Sequence, residues 1–173
     1  MLTLISVLTL MSAPAVAQSG DAWTLHADGI GPLKIGMRFE QADLAVGLGL
    51  QRTPAEKLPT RGCDQIAVPR HPGIALMFID DVLERVDVFQ PGTPAADGVA
   101  VGTPVDRVLQ AHPRIDRRQH AYDEAEQYLT LYSDTAAVPS PHSLALRFTT
   151  DKGKVGAISA GRLQEVRYIE ACL

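Results

Sequence analysis

The stretch Ile30-Gly31-Pro32-Leu33-Lys34-Ile35-Gly36-Met37-Arg38-Phe39 combines a short strand, a glycine turn and the start of a helix. Its apolar and polar side chains alternate up to Gly36, as they do in a half-buried strand. A weaker copy, Ala100-Val101-Gly102-Thr103-Pro104-Val105, has Gly102 at the corresponding position. We therefore expect the same unit, a strand that turns into a helix, to open each half of the chain.

The first half is predicted to continue as a helix, a strand and a β-hairpin. Helix one is expected over Met37 to Leu48, with a poor N-cap at Arg38 and a C-terminal end at Gly47 and Gly49. Its candidate apolar positions are Phe39, Ala42, Leu44 and Val46. A strand is predicted over Asp64 to Val68, just after Cys63.

The hairpin is predicted from two apolar runs, Ile74 to Ile79 and Leu83 to Phe89, which Asp80-Asp81 separates as a turn. In the second run, valines at alternate positions face one side of the sheet, and Arg85 and Asp87 face the other. A calcium site at the paired aspartates is the alternative, but aspartate also tolerates the backbone of a tight turn.

The second half is expected to repeat this order after a linker at Pro91 to Gly98. Val99 and Val101 are predicted to form a short strand. Helix two follows, with Thr103 as its cap, and ends by Pro113. The later predicted strands are Tyr128 to Tyr132, Leu144 to Phe148 and Val155 to Ala160.

Two such halves, residues 18–92 and 93–173, predict an α+β domain in which two tandem repeats each place a helix on a small antiparallel sheet. The tail after Gly161 breaks the repeat. We expect it to be extended and to be held by Val166 and Tyr168. Two similar hairpins can also arise without common origin, so a duplication is a hypothesis and not a consequence of the pattern.

Residues 1–17 have the features of a secretory signal peptide. An uncharged apolar run, Leu2 to Met11, precedes the small residues Ala15-Val16-Ala17, although no Lys or Arg stands before it. The run is too short for a membrane span, which needs about 20 apolar residues. We expect cleavage near Ala17 and a periplasmic or secreted mature chain without a membrane anchor.

The composition excludes some classes of partner. With 173 residues and a net charge of −4, the chain has no basic excess for binding nucleic acid. Its 46% of hydrophobic residues is that of a globular protein with a core.

The two cysteines, Cys63 and Cys172, are predicted to form a disulfide in an exported protein. Such a bond would fasten the end of the chain to its first half. Two free buried thiols are the alternative.

Several motifs together resemble a family of small exported proteins of Gram-negative bacteria, some of which carry a lectin label. The motifs are Gly31 to Met37, Cys63, the hairpin from Met77 to Val88, His120-Ala121-Tyr122, Gln127-Tyr128-Leu129 and Tyr168-Ile169-Glu170-Ala171-Cys172. The chain departs from the family at Arg38, where Thr or Ser is usual, and at Ala171, where Gly is usual. The resemblance implies a fold but defines no reaction.

The glycine, helix and hairpin plan is also similar, more distantly, to the tandem-repeat β-lactamase inhibitory proteins. It is similar as well to the small lipoprotein of the outer-membrane barrel-assembly machinery. Those proteins act by binding other proteins. A likeness of this kind concerns the fold and transfers no functional residues.

No motif in the sequence predicts catalysis, a cofactor or a metal. The histidines at positions 26, 71, 112, 120 and 142 form no pair at zinc-site spacing. No serine stands in a G-x-S-x-G elbow, and the glycines near position 31 do not match a nucleotide-binding loop. We therefore expect no enzyme activity, although a site assembled by the fold stays open.

Candidate binding residues come from the second half and the tail. They are His120, Tyr122, Tyr128, Arg162, Tyr168 and Glu170. Tyrosines supply amphipathic contact area for a protein or a sugar, but aromatic residues make up only 5% of the chain. Arg162 and Glu170 are expected to pair with each other or with turn carbonyls. Gly36 and Gly102 are assigned to structural turns.

The sequence thus predicts an exported, non-enzymatic binding or scaffold domain of the bacterial envelope. Its partner is expected to be an envelope protein or a glycan. Carbohydrate binding, in the manner of a lectin, is the alternative.

Overall fold

The computed structural model describes residues 23–133 and 139–172. The predicted signal peptide and its cleavage site lie outside these residues. The described chain is mixed α/β and mostly β, with two antiparallel sheets. Its strands are β1 (Leu25–His26), β2 (Gly29–Ile30), β3 (Leu33–Lys34), β4 (Cys63–Ala67), β5 (Ile74–Ile79), β6 (Val82–Val88), β7 (Asp116–Gln119), β8 (Gln127–Tyr132), β9 (Leu144–Asp151) and β10 (Lys154–Arg162). Its helices are α1 (Phe39–Val46), α2 (Val105–Ala111) and α3 (Leu163–Val166), besides a single 3₁₀ turn at Ala55–Lys57.

The strands of both halves join in one seven-stranded sheet, in the order β4-β5-β6-β10-β9-β8-β7. We had predicted a separate small sheet in each half. Instead, β6 pairs with β10, so that Ile158 lies opposite Val88 and Gly161 opposite Arg85. This pairing gives the backbone groups of β6 and β10 hydrogen-bond partners. In two separate sheets, each of these strands would have been an open edge.

The main core lies between one face of this sheet and a layer that contains α1, α2 and the three-stranded sheet β1-β2-β3. Phe39 and Ala42 of α1 and Val108 of α2 are buried in it. The sheet contributes alternate side chains, including Leu76, Phe78, Val86, Phe148 and Ile158. The predicted alternation of β6 is therefore confirmed.

Gly36 makes the corner between β3 and α1. Its φ is 95°, a conformation that favours glycine. The N–H of Gly36 donates to the carbonyl of Leu83 at 2.7 Å, and the N–H of Leu83 donates to the carbonyl of Met37 at 2.8 Å. The N–H of Phe39 donates to the carbonyl of Asp81 at 3.0 Å. The corner is thus bonded to the β5–β6 hairpin.

Gly102 makes the corresponding corner before α2, with a φ of 93°. Its N–H donates to the carbonyl of Val155 at 2.7 Å, and the N–H of Val155 donates to the carbonyl of Thr103 at 2.8 Å. The N–H of Val105 donates to the carbonyl of Gly153 at 3.0 Å. The second corner is therefore bonded to the β9–β10 hairpin by the same three kinds of hydrogen bond.

Helix α1 is shorter than predicted but ends where expected. Gly47, at φ 60°, closes it with a hydrogen bond to the carbonyl of Asp43. At its start, the side chain of Gln41 accepts from the N–H of Arg38 at 2.8 Å. Arginine has no side-chain acceptor that could cap the first turn in return. Leu44, one of the candidate apolar positions, is 85% exposed, whereas Phe39 and Ala42 are buried.

Two predictions at the start of the second half were wrong. Val99 and Val101 lie in a turn region and form no strand. Helix α2 begins at Val105, so its N-cap is Pro104 and not Thr103. The hydroxyl of Thr103 accepts from the N–H of Ala100 at 3.0 Å. The polar stretch that follows α2 contains strand β7, which the sequence pattern had not indicated.

The connection at residues 91–98 is packed and not a free linker. Ala95 is buried, and the N–H of Leu25 donates to the carbonyl of Pro94 at 2.8 Å. The tail also differs from the expectation of an extended segment. It forms helix α3, which buries Leu163 and Val166.

Candidate functional site

A cleft of ≈ 560 Å³ lies between the end of the chain and the start of β4, and we call it the C-terminal cleft. Its lining consists of Thr60, Arg61, Gly62, Cys63, Ile79, Asp80, Tyr122, Tyr168, Ile169, Glu170, Ala171 and Cys172. A smaller inner pocket of ≈ 190 Å³ lies on the sheet face and shares Tyr122, Tyr168 and Ile169 with the cleft. Its other lining residues are Arg85, Asp87, Phe89, His120, Tyr128, Arg147, Thr149, Ala157 and Ser159.

A disulfide between Cys63 and Cys172 fixes the tail wall of the cleft, as the sequence predicted. The bond joins β4 to a residue 109 positions later in the chain. Met77 is buried against it. Ala171, beside it, has a φ of 50°, a conformation that glycine adopts more readily.

Two buried arginines on the sheet hold the tail from below. Nη1 of Arg85 donates to the carbonyls of Glu165 at 2.8 Å and Tyr168 at 3.3 Å. Nη2 of Arg147 donates to the same Tyr168 carbonyl at 3.1 Å. These bonds position the tail backbone over a sheet face whose polar residues are themselves buried.

Asp87 lies at the centre of the hydrogen bonds on this face. Its carboxylate accepts from Nε of Arg85 at 3.0 Å, from Nε2 of Gln65 at 2.9 Å and from the hydroxyl of Ser159 at 2.7 Å. Arg85 and Asp87 are 4% and 1% exposed, so the pair is a buried and well-bonded ion pair.

Aromatic side chains form one wall of the two pockets. The rings of His120 and Tyr128 lie 4.7 Å apart, and the ring of Tyr122 lies 6.1 Å from that of His120, edge to face. The hydroxyl of Tyr122 donates a short hydrogen bond to the carboxylate of Glu170. That hydrogen bond raises the pKa of Tyr122 above its ordinary value. It connects the loop after β7 to the tail.

Exposed apolar surface is concentrated at this site. In the part of the chain that the structure describes, the exposed large apolar or aromatic side chains are Leu44, Phe89, Tyr122, Tyr168 and Ile169. Four of these five line the cleft or the inner pocket, and only Leu44 lies elsewhere, on α1. Exposed apolar residues that gather in one place are typical of a binding surface.

The fold brings together five of the six candidate binding residues. His120, Tyr122, Tyr128, Tyr168 and Glu170 all line the cleft or the inner pocket. Arg162 lies outside both. It does not pair with Glu170, because its Nε donates to Glu84 at 3.2 Å and its Nη1 to the carbonyl of His142 at 2.9 Å.

The sequence reasoning missed the charged floor of the site. Arg85 and Asp87 are predicted only to lie on the face of the strand opposite the valines, and Arg147 is not among the predicted site residues. The alternation of valine with charged residues in β6 indicates two different faces, but it cannot show that the tail covers the polar one. The position of Cys172 was the available signal, since its bond to Cys63 draws the tail over the sheet.

The candidate metal ligands remain dispersed. Among residues 23–133 and 139–172, no three His, Cys, Asp or Glu residues are grouped so that they could hold a metal ion. His112 instead faces Asp97 at 2.7 Å, and His71 stacks on Trp23 with ring centroids 3.6 Å apart. None of the helices in the described residues is long and apolar enough to cross a membrane.

Comparison with known proteins identifies similar folds and no family. No protein-family model matches the sequence, and no curated protein matches it. The crystal structure of the uncharacterized protein yfeY from Escherichia coli has a TM-score of 0.51 and 19% sequence identity, covering 80% of this chain and 99% of that one. An extracellular protein containing a SCP domain from Bacillus anthracis has a TM-score of 0.47 and 10% identity, covering 95% of this chain and 52% of that one. At 19% identity, the likeness to the Escherichia coli protein concerns the fold alone.

Proposed function

We propose that this protein is an exported, non-enzymatic binding domain and that its partner occupies the C-terminal cleft. The concentration of exposed apolar side chains around the cleft carries the proposal. The disulfide supports export, because such bonds persist in oxidising compartments such as the periplasm. An envelope protein is the partner that we favour.

The cleft is held in shape before any partner binds. The disulfide at Cys172, the Tyr122–Glu170 hydrogen bond and the arginine bonds to the Tyr168 carbonyl all fix the tail. A preformed site avoids the cost of ordering loops on binding. The carboxylate of Glu170 in the cleft and that of Asp87 in the inner pocket are both bonded within the protein.

A pull-down from envelope extracts tests this proposal. The exported chain, without residues 1–17, is tagged and compared with the variants Tyr122→Ala and Ile169→Ser. We expect one partner to be recovered by the wild-type chain and lost by both variants. Leu44→Ser is the matched control, because Leu44 is equally apolar, 85% exposed and outside the cleft. A partner lost with Leu44→Ser but kept by both cleft variants would remove the cleft from the proposal.

Carbohydrate binding is the second candidate, and one observation favours it. The cleft sets the exposed ring of Tyr122, which is 69% exposed, beside the carboxylate of Glu170. An aromatic face with a nearby hydrogen-bond acceptor suits a sugar ring and its hydroxyls. A glycan array and titration with cell-wall sugars test this candidate. If both give no signal, it is abandoned.

We also infer that the two halves are tandem structural repeats that form the scaffold for the cleft. The support is the match between the Gly36 and Gly102 corners in φ and in three backbone hydrogen bonds each. The two hairpins bonded to these corners supply β6 and β10, which meet at the centre of the sheet. Residues 18–92 and 93–173 are then the two units.

A further inference from the structure

Arg147 is a buried cation that forms no ion pair in the part of the chain that the structure describes, although the carboxylate of Asp87 lies near enough to raise its pKa against the larger effect of burial. It is 6% exposed, and burial lowers its pKa to about 10. In residues 23–133 and 139–172, its Nε donates no hydrogen bond, and none of the ion pairs includes its guanidinium. Its contacts are the Tyr168 carbonyl at 3.1 Å and the ring of Tyr128 at 4.4 Å. A buried charge without a counterion is costly, and such groups occur mainly where they serve a function.

The other buried charges nearby neutralise each other. Arg85 pairs with Asp87 at 3.0 Å, and the remaining bonds of Asp87 go to Gln65 and Ser159. The inner pocket therefore carries one unpaired positive charge, that of Arg147. A carboxylate with a single negative charge would match it. A doubly charged phosphate would leave a negative excess next to Asp87.

The walls of the inner pocket around Arg147 suit a flat or ring-shaped ligand. The rings of Tyr128 and His120 lie side by side at a tilt of 38° and present aromatic surface, and Tyr122, Tyr168 and Ile169 continue the wall into the larger cleft. A ligand with its acidic group on Arg147 can thus extend a ring along the aromatic wall. Apolar walls with a few convergent polar groups are the usual form of a small-molecule site.

We propose that the inner pocket is a subsite for the carboxylate of a small organic acid whose ring or chain lies along Tyr128 and His120, with the Arg147 guanidinium as its counterion. The proposal rests on the function proposed above, since it names what the inner end of the binding site recognises. The planar guanidinium binds a carboxylate through two parallel N–H donors, which an ammonium group cannot reproduce.

The test follows the Nε–Hε signal of Arg147 by NMR in the exported chain labelled with ¹⁵N-arginine. The probes are benzoate against benzyl alcohol, and D-glucuronate against D-glucose. Each pair differs chiefly in the carboxylate, and the two pairs distinguish an aromatic acid from a sugar acid. Inorganic phosphate is the fifth probe. The signal is assigned by its loss in Arg147→Lys, and the Nε–Hε signal of Arg162, which is bonded to Glu84, serves as the internal control.

We expect at least one carboxylate to shift the Arg147 signal in a saturable way, whereas its neutral counterpart and the Arg162 signal change little. In Arg147→Lys, affinity for that carboxylate, followed by backbone amide shifts, should fall about tenfold because the forked donor pair is lost. Arg147→Met should abolish binding. If Arg147→Met does not fold, the Lys variant decides. Arg162→Met should bind as the wild-type chain does.

Three results would overturn the subsite. They are neutral probes that bind as tightly as the acids, phosphate that binds more tightly than both carboxylates, and the absence of any shift up to the solubility of the probes. None of these affects a partner captured through Tyr122 in the pull-down. Conversely, a carboxylate that shifts Arg147 while no partner is captured would retain the subsite and remove the protein-binding function.

Discussion

The hydroxyl of Tyr122 donates a hydrogen bond to the carboxylate of Glu170, which lies 48 residues further along the chain. The bond joins the loop after β7 to the tail that Cys172 fastens to β4. Two different links therefore fix the two ends of the cleft wall. They add to the hydrogen bonds that Arg85 and Arg147 donate to the carbonyl of Tyr168.

The first prediction concerns the ionisation of Tyr122. The hydrogen bond to Glu170 raises the pKa of Tyr122, so the phenol stays protonated, and the bond persists, until the pH passes above the ordinary tyrosine value. The bond is complete at neutral pH and is lost as the pH rises through the raised pKa. NMR titration of the ¹³Cζ signals of tyrosine, assigned with Tyr122→Phe, measures this pKa. Glu170→Gln should lower it, and an unchanged value would show that the carboxylate does not act on Tyr122.

The second prediction concerns the disulfide. On the chain-entropy model, a closed loop of about 110 residues stabilises the fold by about 5 kcal/mol. The double variant Cys63→Ala with Cys172→Ala should therefore lower the free energy of unfolding by about 2–5 kcal/mol in urea denaturation. Wild-type protein treated with a reductant is the control and should lose a similar amount. Two thiols that alkylate without reductant in periplasmic material would contradict the bond itself.

The third prediction compares the two glycine corners. At φ values of 95° and 93°, Gly36 and Gly102 adopt a backbone that an L side chain rarely takes, although no heavy atom would contact an added Cβ. Gly36→Ala and Gly102→Ala should each cost about 1–3 kcal/mol through backbone strain alone. If the two corners are equivalent, urea denaturation should show the same loss of unfolding free energy for both variants. A large cost at one corner and none at the other would contradict the tandem-repeat inference.

The fourth prediction concerns the buried ion pair beneath the tail. Asp87→Ala should lower the free energy of unfolding by about 3–5 kcal/mol, because it leaves Arg85 as a buried charge without its counterion. Asp28→Ala is the matched control. Asp28 also pairs with a cation at 3.0 Å, but that pair is about half exposed, at 51% for Lys34 and 52% for Asp28. Its removal should cost less than about 1 kcal/mol. Similar losses for the two variants in urea denaturation would refute the buried character of the pair.

The sequence predicted correctly those helices and strands in which apolar residues recur at a regular spacing. The β5–β6 hairpin and the end of α1 at Gly47 were found as expected, because alternation and a left-handed glycine are local signals. Strand β7 was missed because three of its four residues are exposed at the sheet edge. Its sequence therefore shows no alternation of apolar and polar residues. Helix α3 was missed because its four residues offer a single apolar pair, Leu163 and Val166.

The sequence predicted most of the residues that line the candidate site, but not the contacts that hold them in place. Five residues from the second half and the tail were selected by type and by resemblance, and the fold brought them to one cleft. Arg162 was expected to pair with Glu170 or with a turn carbonyl; it binds the carbonyl of His142, in a turn, but its ion-pair partner is the distant Glu84, which no local pattern indicates. Arg147 was not predicted as a site residue, because whether a buried cation has an ion-pair partner depends on all the residues packed around it.

Site-specific photo-crosslinking tests the central claim, that the C-terminal cleft is the binding site, most directly. The photoreactive residue p-benzoylphenylalanine replaces Arg61, an exposed residue of the cleft lining, in one exported chain and Leu44 in another, and each is irradiated in envelope extract. We predict a discrete adduct from position 61 and none from position 44, followed by identification of the adduct by mass spectrometry. The same adducts from both positions, or an adduct from position 44 alone, would contradict the claim.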